Sequence, residues 1–185
     1  MSKRVEFLCS GFGGQGVVRV GQIIGDAAVQ AGLHATMLIS HGTETRGGYV
    51  RSQVIISEEP IASPVVETPT CFVALSQAAW DRFGGLCRSS SFVLYNPDKV
   101  TIADNLDVKK VAIQAEQEAA NRFGEPLYAN TLWIGVFSGL SGTWITETHF
   151  EKAIRHRISR NIEENIAAFH HGRALFNKLP DFRLT

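Results

Sequence analysis

The chain has 185 residues, 44% of them hydrophobic, and its 18 Lys plus Arg are balanced by 18 Asp plus Glu. That length suits one domain, residues 1–185, with enough apolar side chains to bury a core. The zero formal net charge leaves no electrostatic footprint for nucleic acid or an anionic membrane, and it weakens self-repulsion in a way that suits life inside a complex.

In chain order, the basic pair Lys3-Arg4 precedes only a short apolar run. No secretory signal is therefore expected. No stretch approaches the ~20 apolar residues of a membrane span, and the expected location is the cytoplasm. Val5–Ser10 reads as a strand. It runs into Gly11-Phe12-Gly13-Gly14-Gln15-Gly16, after which Val17, Val20, Ile24, Ala27, Ala28 and Ala31 recur at helical spacing up to Gly32. Ala35–Ser40 reads as a second strand, so the start of the chain is expected to be a βαβ unit with parallel pairing. The polar stretch from His41 to Gly48 is a loop, and Tyr49–Ser57 is a strand with Val50, Ser52, Val54 and Ile56 on one face.

Pro60, Pro64 and Pro69 mark an extended connection. Thr70–Ser76 follows as a strand, Gln77–Phe83 as a short helix closed by Gly84-Gly85, and Ser91–Tyr95 as another strand. Val111–Gln114 reads as a short strand before the helix Glu116–Phe123. Leu127–Leu140 is apolar nearly all round, as a helix buried on several sides would be. Phe150, Ile154, Ile158, Ile162, Ile166, Phe169 and Phe176 then form one stripe, expected to pack on the core. Two N-caps compete at its start: Thr148 with Glu151 at capping-box spacing, and Thr146. The pattern predicts an α/β fold: a Rossmann-like, open, mainly parallel sheet with flanking helices and a helical C-terminal third.

The glycine turn between strand and helix matches the G-x-G-x-x-G spacing, which lets backbone N–H groups and a helix N-terminus approach a phosphate. The rest of a dinucleotide fingerprint is missing, since Ile39-Ser40-His41 supplies no acid at the end of the second strand. Thr45-Arg46-Gly47-Gly48 sits in the next loop, which in such a sheet should face the glycine turn. Arg46 brings a planar donor fork suited to phosphate or carboxylate. The alternative for each loop is a turn that binds nothing. Cys9, Cys71 and Cys87 form no C-x-x-C pair, so neither zinc nor an iron–sulfur cluster has its usual ligands. His149, His156, His170 and His171 lie at mixed helical spacing and read as surface residues. No catalytic residue and no metal ligand stands out.

Gly11 to Val17, Thr45 to Gly48, Val73 to Gln77 and the segment Asn130 to Gly135, in that order, resemble the gamma subunit of 2-oxoacid:ferredoxin oxidoreductases along nearly the whole chain. Ser76-Gln77 and Arg46-Gly47-Gly48 look most like the 2-oxoglutarate branch, although the pyruvate, branched-chain and indolepyruvate enzymes share much of the pattern. The resemblance implies a subunit of an enzyme that decarboxylates a 2-oxoacid on thiamine diphosphate with magnesium. Such an enzyme passes electrons through iron–sulfur clusters to ferredoxin and releases acyl-CoA. It implies alpha and beta chains that form the thiamine site, with clusters on the beta chain or on a small ferredoxin-like delta chain. This chain alone is then expected to bind no cofactor, to be inactive, and to self-associate when isolated. Gly13, Gly14, Gln15, Thr45, Arg46 and Gly47 are the candidates for the coenzyme A region or the subunit surface facing it. Two other readings stand beside this one: a free-standing NADP- or flavin-binding protein, and a purely structural subunit.

Overall fold

The computed structural model describes residues 3–42 and 48–179. Six strands form one sheet in the order β2-β3-β1-β4-β5-β6. They are β1 (Arg4–Phe12), β2 (His34–His41), β3 (Tyr49–Ser57), β4 (Cys71–Ala74), β5 (Phe92–Tyr95) and β6 (Lys109–Ala112). The helices are α1 (Val17–Gln30), α2 (Gln77–Phe83), α3 (Ala115–Phe123), α4 (Ala129–Ser141), α5 (Glu147–Arg157) and α6 (Ile162–Phe176). The strands from β1 through β4 and β5 to β6 pair in parallel, while β3 lies antiparallel to both β1 and β2. Five strands therefore point one way, and the sheet is mainly parallel as expected.

One expectation fails in a specific way. The first βαβ unit is split, because β3 is inserted between β1 and β2, with Phe7 opposite Val54 and Met37 opposite the same Val54 from the other side. A hairpin return from β2 fills the gap that a directly paired βαβ unit would close. The physical reason lies in β3, whose nine residues are almost all buried, a pattern that requires a neighbour on each edge and cover on both faces. The edge position goes to β2, whose side chains are all partly or fully exposed.

The two sheet faces carry separate apolar clusters. On one face, Val5, Phe7 and Cys9 of β1 and Val50, Val54 and Ile56 of β3 meet α1 and α3 to α6. The expected inward face of Tyr49–Ser57 is thus the observed one, and Ser52 shares it fully buried. On the other face, Leu8, Ile55, Phe72 and Val93 pack beneath Phe83 of α2 and the loop residues Val66, Val100 and Ile102.

The C-terminal stripe is two helices rather than one. The helical path ends at Ile158, in extended conformation, and restarts after Asn161 at φ 50°. Phe150, Ile154, Ile166, Phe169 and Phe176 are buried, but Ile158 and Ile162 flank the break and are only partly covered. Ile162 is therefore not the core position that the stripe implied. Thr146, not Thr148, caps α5, with its backbone N–H donating to His149 Nδ1 at 3.3 Å. Of the three tryptophans, Trp133 is fully buried, and Trp80 and Trp144 lean against the two clusters. None of them marks an exposed aromatic patch.

Asp26 clasps α1 to the end of α5, accepting from Arg157 Nε at 2.8 Å and meeting His156 Nδ1 at 2.6 Å. Burial pushes its carboxyl up, but the hydrogen bonds from His156, Arg157 and Gln30 outweigh that and hold it below the usual range. Helices α4 and α6 cross at backbone contact. A Cβ on Gly172 would overlap the Leu132 carbonyl, and one on Gly135 would overlap the Phe169 carbonyl. A methyl at Gly172 gains helix propensity of about 0.8–1 kcal/mol but must push two backbones apart. Gly172→Ala is therefore expected to lower stability by about 1–3 kcal/mol or more in a denaturant titration. Equal or higher stability would mean that the helices do not pack this closely.

Candidate functional site

At the carboxyl end of β1 the chain turns through Gly13–Gly16 and enters α1. Gly14 has φ 91° and Gly16 has φ 76°, the left-handed region that favours glycine. Gly16 also lies against the Asn130 carboxamide, with no room for a side chain. By contrast, a Cβ on Gly13 or Gly14 would meet nothing within 4 Å. Both are exposed, so their backbones are open to a ligand. Gly16 gives α1 no side-chain cap, which leaves the first-turn N–H groups and the positive end of the helix dipole facing outward.

Gln15 does a different job from its two glycine neighbours. Its Oε1 accepts from the Phe12 N–H at 2.5 Å, and its Nε2 donates to the Leu75 carbonyl at 3.1 Å. The side chain thus bridges the ends of β1 and β4, where helices leave the sheet toward opposite faces. Ligands of open α/β sheets bind at such a switch point. Gly11 is needed beneath it, because a Cβ there would meet Gln15 Oε1 and come within 2.9 Å of Leu75 Cβ. Both ends of the Gln15 amide are engaged in holding the turn.

The loop after β2 reaches the same rim. Gly13 N–H donates to the Gly48 carbonyl at 3.3 Å, and Gly42 N–H donates to the Tyr49 carbonyl at 2.8 Å. Gly48, at the end of that loop, therefore adjoins the glycine turn. Thr45, Arg46 and Gly47 lie outside the described residues. A cleft of about 600 Å³ opens here, lined by Gly13, Gly14, Gly16, Arg19, Gln22 and His41 among others. A neighbouring cleft of about 420 Å³ lies between Gly16, Arg19, Asn130 and Arg160, and a third of about 260 Å³ between Gly14, Lys99, Glu116 and Trp133.

Arg19 is the rim residue that the sequence reading missed. It sits in the first turn of α1 and its guanidinium donates to the Arg157 carbonyl. Only its offset from Gly16 could have signalled it, and an arginine on an exposed helix face carries no such signal by itself.

The insertion of β3 also bears on the dinucleotide reading. In a dinucleotide site the acid or base that reads the ribose stands at the end of the parallel strand next to β1. Here that neighbour is the antiparallel β3, which starts rather than ends at this rim, with Tyr49 opposite Phe12.

The thiols are built into the core. Burial pushes Cys9 and Cys71 well above the ordinary range, and pushes Cys87 up to about 11 against the opposing pull of Arg88. Among the described residues no group of three His, Cys, Asp or Glu side chains is placed to hold a metal ion. His156 pairs with Asp26, His170 with Glu147 and Glu151, and His171 with Glu118.

Fold and site together define a Rossmann-like domain whose open rim is made of glycine backbone and Arg19. Its sequence and its shape both have relatives. The chain belongs to the pyruvate ferredoxin/flavodoxin oxidoreductase family, whose model matches residues 6–175, and within it is a gamma-type subunit. It is 35% identical over 173 residues to 2-oxoglutarate synthase subunit KorC of Methanocaldococcus jannaschii, covering 91% of this chain and 92% of that one. It is 34% identical to ketoisovalerate oxidoreductase subunit VorA of Methanothermobacter marburgensis over 85% of its own length, but spans only 33% of that longer relative. The crystal structure of a keto/oxoacid ferredoxin oxidoreductase gamma subunit from Geobacter sulfurreducens superposes with a TM-score of 0.82 at 29% identity, covering 95% of this chain and 99% of that one.

Gln15→Ala removes two hydrogen bonds at the half-exposed switch point. It is expected to cost about 1–2 kcal/mol in a urea titration, from ~0.5–1.5 kcal/mol per bond. Hydrogen exchange should also quicken over Phe12–Val18. Unchanged stability and exchange would show that the turn holds without the bridge.

Proposed function

We propose that this chain is the gamma subunit of a cytoplasmic 2-oxoglutarate:ferredoxin oxidoreductase, and that its glycine rim borders the coenzyme A region of the assembled enzyme. The similarity to KorC over nearly the full length of both chains supports the 2-oxoglutarate assignment. Alpha and beta chains then supply thiamine diphosphate and magnesium, with iron–sulfur clusters on the beta chain or on a small ferredoxin-like one. Those groups carry the decarboxylation and the electron transfer. The three cysteines of this chain are buried. In this reading the chain supplies none of that chemistry and is expected to be inactive by itself.

One observation carries the coenzyme A reading. The uncapped N-terminus of α1, preceded by two glycines with open backbone, opens on the cleft that His41 at the end of β2 also lines. A phosphate there would accept from backbone N–H groups and meet the positive end of a 14-residue helix. Gly13 and Gly14 allow the approach, Gln15 holds the turn, and Arg46, flanked by Thr45 and Gly47, is expected to add a charged fork. Coenzyme A is the phosphate-bearing substrate of these enzymes. The inserted β3 disfavours the free-standing NADP reading, because it takes the place of the parallel strand that would read the ribose.

In the assembled enzyme, Arg46→Ala is expected to raise KM for coenzyme A more than KM for 2-oxoglutarate. The loss in kcat/KM should be roughly tenfold to a hundredfold, as for one charge-assisted hydrogen bond. Arg46→Lys should recover only part of it, since an ammonium keeps the charge but not the fork. Unaltered coenzyme A kinetics with weaker assembly would instead make the loop a subunit contact. Steady-state kinetics on the purified complex decide between these outcomes.

A further inference from the structure

The opposite face of the same rim carries a pair of cations. Arg51 stands on β3 opposite Ser10 of β1, and Arg82 on the last turn of α2. Arg82 Cζ lies 4.1 Å from the centre of the Tyr49 ring, and Arg51 Cζ lies 4.9 Å from that of Phe83. Arg82 also reaches to 5.9 Å from the Phe83 ring, and the two rings meet edge to face at 5.7 Å. Two adjoining aromatic side chains thus carry two guanidinium groups, at 4.9 and 5.9 Å from the centre of the shared Phe83 ring.

Neither arginine meets a carboxylate among the described residues. The nearest acid in sequence, Asp81, is engaged by Gln77 Nε2 at 2.8 Å. Arg51 Nε is buried without an acceptor. A partly desolvated guanidinium without an anion is costly. Ring faces offset part of that cost, and a guanidinium that lies over a ring keeps N–H donors for an anion. Those donors can serve the oxygens of one tetrahedral anion better than a single carboxylate could.

We propose that Arg51 and Arg82 form a second oxyanion site, taking a phosphate or diphosphate group, on the sheet face opposite α1. It adjoins the glycine rim, since Tyr49 pairs with Phe12 and its carbonyl accepts from the Gly42 N–H. Two sources offer this chemistry: a phosphate of the coenzyme and free inorganic phosphate or diphosphate. Assigning the coenzyme rests on the function proposed above, whereas the site itself does not.

The test is calorimetric titration of the full chain with inorganic pyrophosphate at fixed ionic strength. Arg82→Gln and Arg51→Lys, which keeps the stem that packs on Phe83, should each weaken binding by roughly tenfold or more, as for a lost charge-assisted hydrogen bond. Arg122→Gln, an exposed arginine at the end of α3, should leave it unchanged. Equal binding by all four proteins, or no binding by the wild type, would overturn the proposal and leave the rings with a stabilising role only. In the assembled enzyme, a KM for coenzyme A raised by Arg82→Gln identifies the coenzyme as the source. Lost pyrophosphate binding with that KM unmoved assigns the site to free phosphate. That outcome is separate from failure of the glycine-rim reading, which Arg46→Ala reports.

Discussion

The carboxamide of Gln15 holds together the place on which the rest of the molecule is oriented. One side chain accepts from the last amide of β1 and donates to the Leu75 carbonyl just after β4. It closes the split that a parallel sheet opens where successive helices leave toward opposite faces. With that split fixed, α1 must depart over one face and α2 over the other. The N-terminus of α1 is left at the rim, uncapped and facing solvent. Gly11 gives the bridge its space, and Gly14 and Gly16 supply the left-handed backbone that the sharp entry to α1 demands. Fold and site are here one construction, because the residues that start α1 also shape the cleft.

The insertion of β3 gives that rim its second wall. Since β3 begins where β1 and β2 end, Gly48 just before β3 is tied to the glycine turn through Gly13. The same insertion brings Tyr49 and Arg51 to the rim on the far face, where α2 meets them with Arg82 and Phe83. A directly paired βαβ unit would have put a strand end beside β1 and left no such wall. The antiparallel return thus exchanges the ribose-reading geometry of a dinucleotide site for a surface crowded with backbone amides and guanidinium groups.

Much of this was legible in the sequence because its signals are local. The glycine turn, the helical spacing from Val17 to Ala31, and the alternation from Val50 to Ile56 each specify an element within a dozen residues. The family resemblance rested on the glycine turn together with Thr45 to Gly48, Val73 to Gln77 and Asn130 to Gly135. Strand order was not legible, because nothing in β2 or β3 alone says which of them lies next to β1. The break between α5 and α6 was hidden because Ile154, Ile158, Ile162 and Ile166 keep four-residue spacing straight across it. Asn161, at positive φ, was its one local mark. The role of Gln15 was half visible: its place in the turn suggested ligand contact, but its partner Leu75 is 60 residues away. The pairing of Arg51 with Arg82 is likewise a tertiary event between a strand and a helix that no periodicity connects.

The central claim is that the glycine rim meets the phosphate-bearing substrate inside an assembled oxidoreductase. Hydrogen exchange on the purified complex, with and without coenzyme A, tests it most directly. The account predicts slowed exchange in the peptides spanning Phe12–Val18 when coenzyme A is added, with α5 and α6 unchanged. Exchange at the glycine turn that is indifferent to coenzyme A, in a complex that turns the substrate over normally, would contradict it.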